Sequence, residues 1–133
     1  MSDERVMQIG EVATRTELSL RSLRHWEEVG LLKPTGRSDG GFRLYTQADV
    51  DKILVIRRMK PLGFTLDQMR DVMADIDTLA NPSAGAAALE TARARLEDTQ
   101  REAVERREKL TQQLAMADEF IDLVGARLRQ RLS

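Results

Sequence analysis

From Ala86 to Leu128 the chain runs 43 residues without a proline, and the glycine in that span comes only at Gly125. Leu89, Ala92, Leu96, Thr99 and Ala103 step by three and four, and Leu110, Leu114, Ala117, Ile121, Val124 and Leu128 resume the stepping after a slip near Arg106 and Arg107. That spacing predicts one continuous helix, about 65 Å long at about 1.5 Å per residue. Its remaining surface is polar all round, and so narrow an apolar seam cannot hold a helix by itself, so it must lie against a partner. Leu89, Leu96, Ala103, Leu110, Leu114, Ala117, Ile121 and Val124 are the expected pairing positions. The Arg/Glu alternation from Glu97 to Lys109 reads as a solvated flank with i,i+4 pairs.

What remains is residues 1–80, a short linker at Asn81-Pro82-Ser83-Ala84-Gly85, and a core that can only be modest. The absence of cysteine removes disulfides, thiolate metal sites and cysteine nucleophiles, and a lone histidine argues against a zinc site, so no cofactor is expected. Glycine-rich phosphate loops and Gly-x-Ser-x-Gly elbows are also missing, so the chain does not read as an enzyme. No apolar run approaches the roughly 18 residues of a membrane span, and Met-Ser-Asp-Glu-Arg lacks the apolar stretch of a leader. A cytoplasmic, nucleoid-associated location is the expectation.

A net charge of −1 looks unsuited to nucleic acid, but the charge is segregated. Residues 5–60 hold 11 Lys/Arg against 7 Asp/Glu, while residues 61–133 hold 10 against 13. The amino-terminal half is the part with a basic footprint.

Capping patterns divide that half into elements. Thr46-Gln-Ala-Asp49 precedes Val50, Ile53 and Leu54, which starts a helix near residue 47. Gly63 stops it, and Pro61 in its last turn should kink it or end it early. Thr65-Leu-Asp-Gln68 opens the next helix, with Phe64 and Met69 spaced as a hydrophobic staple and Leu66, Met69, Val72, Met73 and Ile76 as the buried stripe. Upstream, Ile9, Val12 and Ala13 suggest a short helix, and Ser19 caps another.

On that second helix a wheel sets Leu20, Leu23 and Trp26 on one side and Arg21, Arg24, His25 and Glu28 on the other. Two short helices with a tight turn, the second basic outside, suit a helix-turn-helix. Glu27, at the edge of the apolar face, reads as a structural partner for a wing arginine. In "LLKPTGRSDGGFRLYT" the Ser38-Asp39-Gly40-Gly41 turn precedes an alternating Phe42-Arg43-Leu44-Tyr45, which reads as a hairpin wing. Phe42 and Leu44 should share one face, and Arg43 and Tyr45 the other, outward one, where they join Arg37 as donors to phosphate.

The stretch "IGEVATRTELSLRSLRHWEEVGLLKPTGRSDGGFRLYTQADVDKILVIRRMKPLGFTLDQM", residues 9–69, resembles the amino-terminal domain of the MerR family of bacterial transcription regulators. The Leu-Arg-x-x-Glu, Gly-Leu-Leu, Gly-aromatic-Arg-x-Tyr and Leu-Gly-Phe-x-Leu motifs carry the likeness. It implies a mainly α fold: a winged helix-turn-helix DNA-binding domain over 1–80, a linker over 81–85 and a long dimerising coiled-coil helix over 86–133. It further implies a homodimer, paired through an antiparallel coiled coil, that binds a promoter dyad, distorts the spacer and works beside RNA polymerase. Carried over residue by residue, its DNA contacts fall on Arg21, Arg24 and His25, on Arg37, Arg43 and Tyr45 of the first wing, and on Arg57 and Lys60 beside the second. Arg57 and Lys60 also read as the solvated side of a helix. With only residues 129–133 beyond the coiled coil, the chain looks like a short, cysteine-free member without an effector domain.

Three departures from the family pattern stand out. His25-Trp26 replaces an aromatic pair, which puts a titratable imidazole where a phenol is usual; Phe42 replaces a common tyrosine; and Glu17 occupies a turn position where glycine is frequent. If Glu17 is left-handed it carries strain. The alternative is a DNA-architectural, excisionase-like protein or a coiled-coil adaptor, against which the long self-pairing helix and the outward arginines argue.

Overall fold

The computed structural model describes residues 5–132, so the Met-Ser-Asp-Glu stretch read for a leader lies outside the described residues. The chain divides after Ala84 into two compact units. The first holds α1 (Ile9–Thr16), α2 (Leu20–Glu28), a hairpin of β1 (Gly36–Arg37) and β2 (Arg43–Leu44), α3 (Gln47–Met59), a 3-10 turn (Lys60–Leu62) and α4 (Leu66–Ala80). The second is α5 (Ala86–Leu132).

Capping chemistry sets the starts of α2, α3 and α4. Ser19 accepts from the Ser22 N–H, and Thr46 and Thr65 each accept from the residue three on while Asp49 and Gln68 reach back to the capping N–H. Asp49 is buried, and its carboxylate also accepts from the Thr35 hydroxyl, so one side chain both caps α3 and ties down the base of the hairpin. Pro61 acts as its position suggests: α3 stops at Met59, the chain tightens into the 3-10 turn, and Gly63, at φ 81°, redirects it into the Thr65 cap.

Between α1 and α2 the turn rests on Glu17, which is left-handed at φ 57°, ψ 34°. The Leu18 N–H reaches back to the Ala13 carbonyl at 3.2 Å and closes the end of α1. A non-glycine residue there carries about 1 kcal/mol of steric cost.

Val12, Leu23, Tyr45, Ile53 and Ile56 are fully buried, with Trp26, Leu32 and Val50 nearly so. Removing each large apolar side chain from water stabilises the fold by about 1.5–3 kcal/mol. Leu20, expected on the apolar side of α2, is 39 % exposed instead. It stands in the first turn of the helix, one residue after the cap, where the wheel gives a direction but no neighbour to bury against.

The hairpin is shorter than the alternation suggests, two residues per strand, in register Gly36 with Leu44 and Arg37 with Arg43. Gly41, at φ 81°, completes its turn. Tyr45 leaves the hairpin and pairs with Met7 by two backbone hydrogen bonds of 2.8 Å, so the segment before α1 adds one rung beside the wing. Arg43 and Tyr45 do share a face, but it turns inward, toward α2, and Tyr45 is 0 % exposed. The outward placement expected for Tyr45 is therefore corrected: the rung with Met7 draws its ring into the core.

α5, taken by itself, is continuous for 47 residues, about 70 Å, through the slip at Arg106 and Arg107. Of the pairing positions, Leu89, Leu96 and Ala103 are half-buried, whereas Leu110, Leu114, Ala117, Ile121 and Val124 are exposed.

Candidate nucleic-acid interface

The outward side of α2 is built by its inward side. Leu23 and Trp26 are 0 % and 3 % exposed, and at 100° per residue this leaves Arg21, Arg24, His25 and Glu28 in solvent. The far end of α2 is fastened by Arg70 of α4, whose Nε and Nη2 donate to the Val29 carbonyl at 3.0 and 2.6 Å. Leu31 and Leu32 both donate from their N–H to the Trp26 carbonyl, at 2.9 and 3.1 Å, and lead the chain toward the wing.

Arg21, Arg24, His25 and Lys60 line one open depression of about 860 Å³, together with Leu20, Ser22, Trp26 and Glu28. Lys60 thus stands against the second helix of the helix-turn-helix, brought there by the 3-10 turn. Three cations and the His25 imidazole line one concavity against a single carboxylate, which gives it an excess of positive charge.

The other four expected contacts are placed differently. Arg37 is exposed on the hairpin and donates from Nη1 to the Gly41 carbonyl at 3.2 Å, bracing the turn. Arg43 is half-exposed and donates from Nε to Glu27 Oε1 at 2.5 Å. The Tyr45 hydroxyl donates to Glu27 Oε2 at 3.1 Å. Arg57 reaches away from the depression, and its Nη1 donates to the Thr16 carbonyl at 2.6 Å, filling the end of α1 just before the strained turn. Arg57 is half-buried rather than a freely solvated cation, and this bond ties α3 to the end of α1.

Glu27 therefore organises the wing, with one oxygen for Arg43 and one for Tyr45. Burial pushes the Tyr45 phenol up to about 12, and the charge of Glu27 and the hydrogen bond to it push the same way, against a smaller opposing effect of Arg43. Leu-Arg-x-x-Glu upstream of Arg-x-Tyr is the signal that pointed to Glu27. Met7, Arg70 and the Thr35–Asp49 pair carried no such signal, because each acts through one long-range contact. Among the described residues no cluster of His, Cys, Asp and Glu could hold a metal ion, and no helix is long and apolar enough to cross a membrane.

Residues 7–76 match the family described as MerR HTH family regulatory protein. The HTH-type transcriptional regulator CueR of Vibrio cholerae is 37 % identical over 116 residues, covering 86 % of this chain and 78 % of that protein. A MerR-family transcriptional regulator from Bacillus cereus superposes with a TM-score of 0.59 at 25 % identity, over 91 % of this chain and 76 % of that one. HiNmlR, a MerR family regulator lacking the sensor domain and bound to promoter DNA, shares the fold with a TM-score of 0.64 at 20 % identity, over 83 % of this chain and 79 % of that one.

Proposed function

Because the chain belongs to the MerR family and is a DNA-binding transcription regulator rather than an enzyme, we propose that it binds a promoter dyad as a homodimer. The two α2 helices enter successive major grooves, and each wing lies along the flanking phosphates. Arg21, Arg24, His25 and Lys60 make the direct contacts, with Arg37 and Arg43 on the backbone beside them. The observation that carries this is the basic depression on the outer face of α2. The promoter-bound state of HiNmlR supports it.

Pairing runs through α5, whose uncovered apolar seam from Leu110 to Leu128 needs a partner and is matched by its own antiparallel copy. On the family pattern the bound dimer bends and undertwists the promoter spacer, a deformation whose sequence-dependent cost adds to specificity, and it acts there with RNA polymerase. Such a protein works in the cytoplasm, on the nucleoid.

A DNase footprint on the DNA upstream of its own gene, at two salt concentrations, tests the proposal. A protected dyad with hypersensitive cuts at its centre, weakening with salt, is expected. Lack of protection at both salts would remove the basis for the α2 reading.

A further inference from the structure

The histidine count of the chain is one, and that residue sits in the basic depression. His25 is in the last turn of α2 and exposed. The charged groups facing it are Arg21, Arg24 and Glu28 of its own helix and Lys60 of the 3-10 turn; Leu20, Ser22 and Trp26 complete the lining without charge.

Imidazole changes charge close to neutral pH, so its state depends on what occupies the depression. A backbone phosphate seated in the depression would add a negative charge beside the ring. A neutral ring offers one N–H and one lone pair, and the lone pair repels a phosphate oxygen; a protonated ring is a donor at both nitrogens and makes a charge-assisted bond.

We infer that DNA binding by this protein takes up a proton at His25, which enters the complex as an imidazolium donating to a backbone phosphate. The inference rests on the reading of the α2 outer face as the DNA-binding face. By linkage, each proton taken up makes affinity fall as pH rises, by up to about tenfold per pH unit for each α2 engaged once the pH is above the ordinary imidazole range. A proton is then a co-ligand of the operator.

The test uses the full chain and a fluorescein-labelled duplex recovered by selection from a randomised pool. Binding is measured by anisotropy from about pH 6 to pH 8 at constant ionic strength. Wild-type affinity should weaken across that range. His25→Gln should bind with a flat profile near the wild-type alkaline value, and His25→Lys should be flat and tight. A second readout needs no variant: the single imidazole gives one Cε1–Hε1 NMR signal, which should move to the imidazolium position when duplex is added at a slightly alkaline pH. If wild-type protein binds with normal salt dependence but a pH-flat affinity, or if the imidazole signal stays neutral in the complex, the proton uptake is refuted and the DNA face stands. If His25→Gln retains the wild-type pH profile, the proton goes elsewhere and the assignment fails. If no duplex is recovered or bound at any pH, both the inference and the α2 reading fail.

Discussion

Tyr45 and Glu27 lie 18 residues apart in the chain and meet hydroxyl to carboxylate at 3.1 Å, while Arg43 holds the other oxygen of Glu27 at 2.5 Å. The wing is thereby set against the helix expected to enter the major groove. Tyr45→Phe should lower stability in urea by about 1–2 kcal/mol, since a hydrogen bond to a charged acceptor is lost while Arg43 stays paired. Its effect on DNA affinity should remain within about twofold. A much larger loss of affinity without loss of stability would place the hydroxyl on the DNA after all.

The same contact has a pH signature. A phenol raised from its ordinary value to about 12 binds its proton more tightly in the folded chain than in the unfolded one. Its stabilising contribution is therefore complete below about pH 10 and is lost as pH climbs through about 12. The chain has one tyrosine, so the absorbance change of phenolate formation reads this group alone. Glu27→Gln should move the midpoint down yet leave it above the ordinary value, because burial, the largest cause, persists.

Glu17 offers a way to stabilise the protein. Glu17→Gly relieves the left-handed strain at some entropic cost, for a net gain of about 0.5–1 kcal/mol and a melting temperature higher by a few degrees. Glu17→Val should do the opposite. Equal melting of all three chains would show that the turn relaxes without strain.

Arg24 and Arg57 should separate by salt. Arg24→Ala should weaken DNA binding and reduce the slope of log affinity against log salt by about one for each phosphate contact removed, with little change in melting. Arg57→Met should leave that slope unchanged but melt earlier, by about 1–2 kcal/mol, because it frees the Thr16 carbonyl. A changed slope in Arg57→Met would return that residue to the DNA.

Pairing through α5 is open to a single substitution. Ile121 is 64 % exposed in the isolated helix and central to the Leu110–Leu128 seam. Ile121→Glu would set a carboxylate in the paired seam, so sedimentation should show a shift toward monomer and loss of high-affinity binding to a dyad. An unchanged sedimentation coefficient would take the seam out of the interface.

The starts of α2, α3 and α4 were legible because each is written in four consecutive residues: Ser19 to Ser22, Thr46 to Asp49 and Thr65 to Gln68. The basic side of α2 was legible because Leu23 and Trp26 fix its rotation. The wing was only partly so. Period two says that Arg43 and Tyr45 share a face, but the core side of that face depends on Met7 and Glu27, far away along the chain. Arg57 sat at an ordinary surface position on its wheel, and only the fold brings the Thr16 carbonyl, 41 residues upstream, within its reach.

The two reciprocal caps at Thr46 and Thr65 bear on how the chain is born as well as on how it is held. Each boundary is specified by a string that leaves the ribosome within a fraction of a second of its first residue, at roughly 5–20 residues per second. The short helices behind the caps become stable only when their apolar faces meet, yet where they begin does not wait for that meeting. The start of each of these two helices is therefore written in its own local sequence, while their contacts are settled by assembly of the amino-terminal unit.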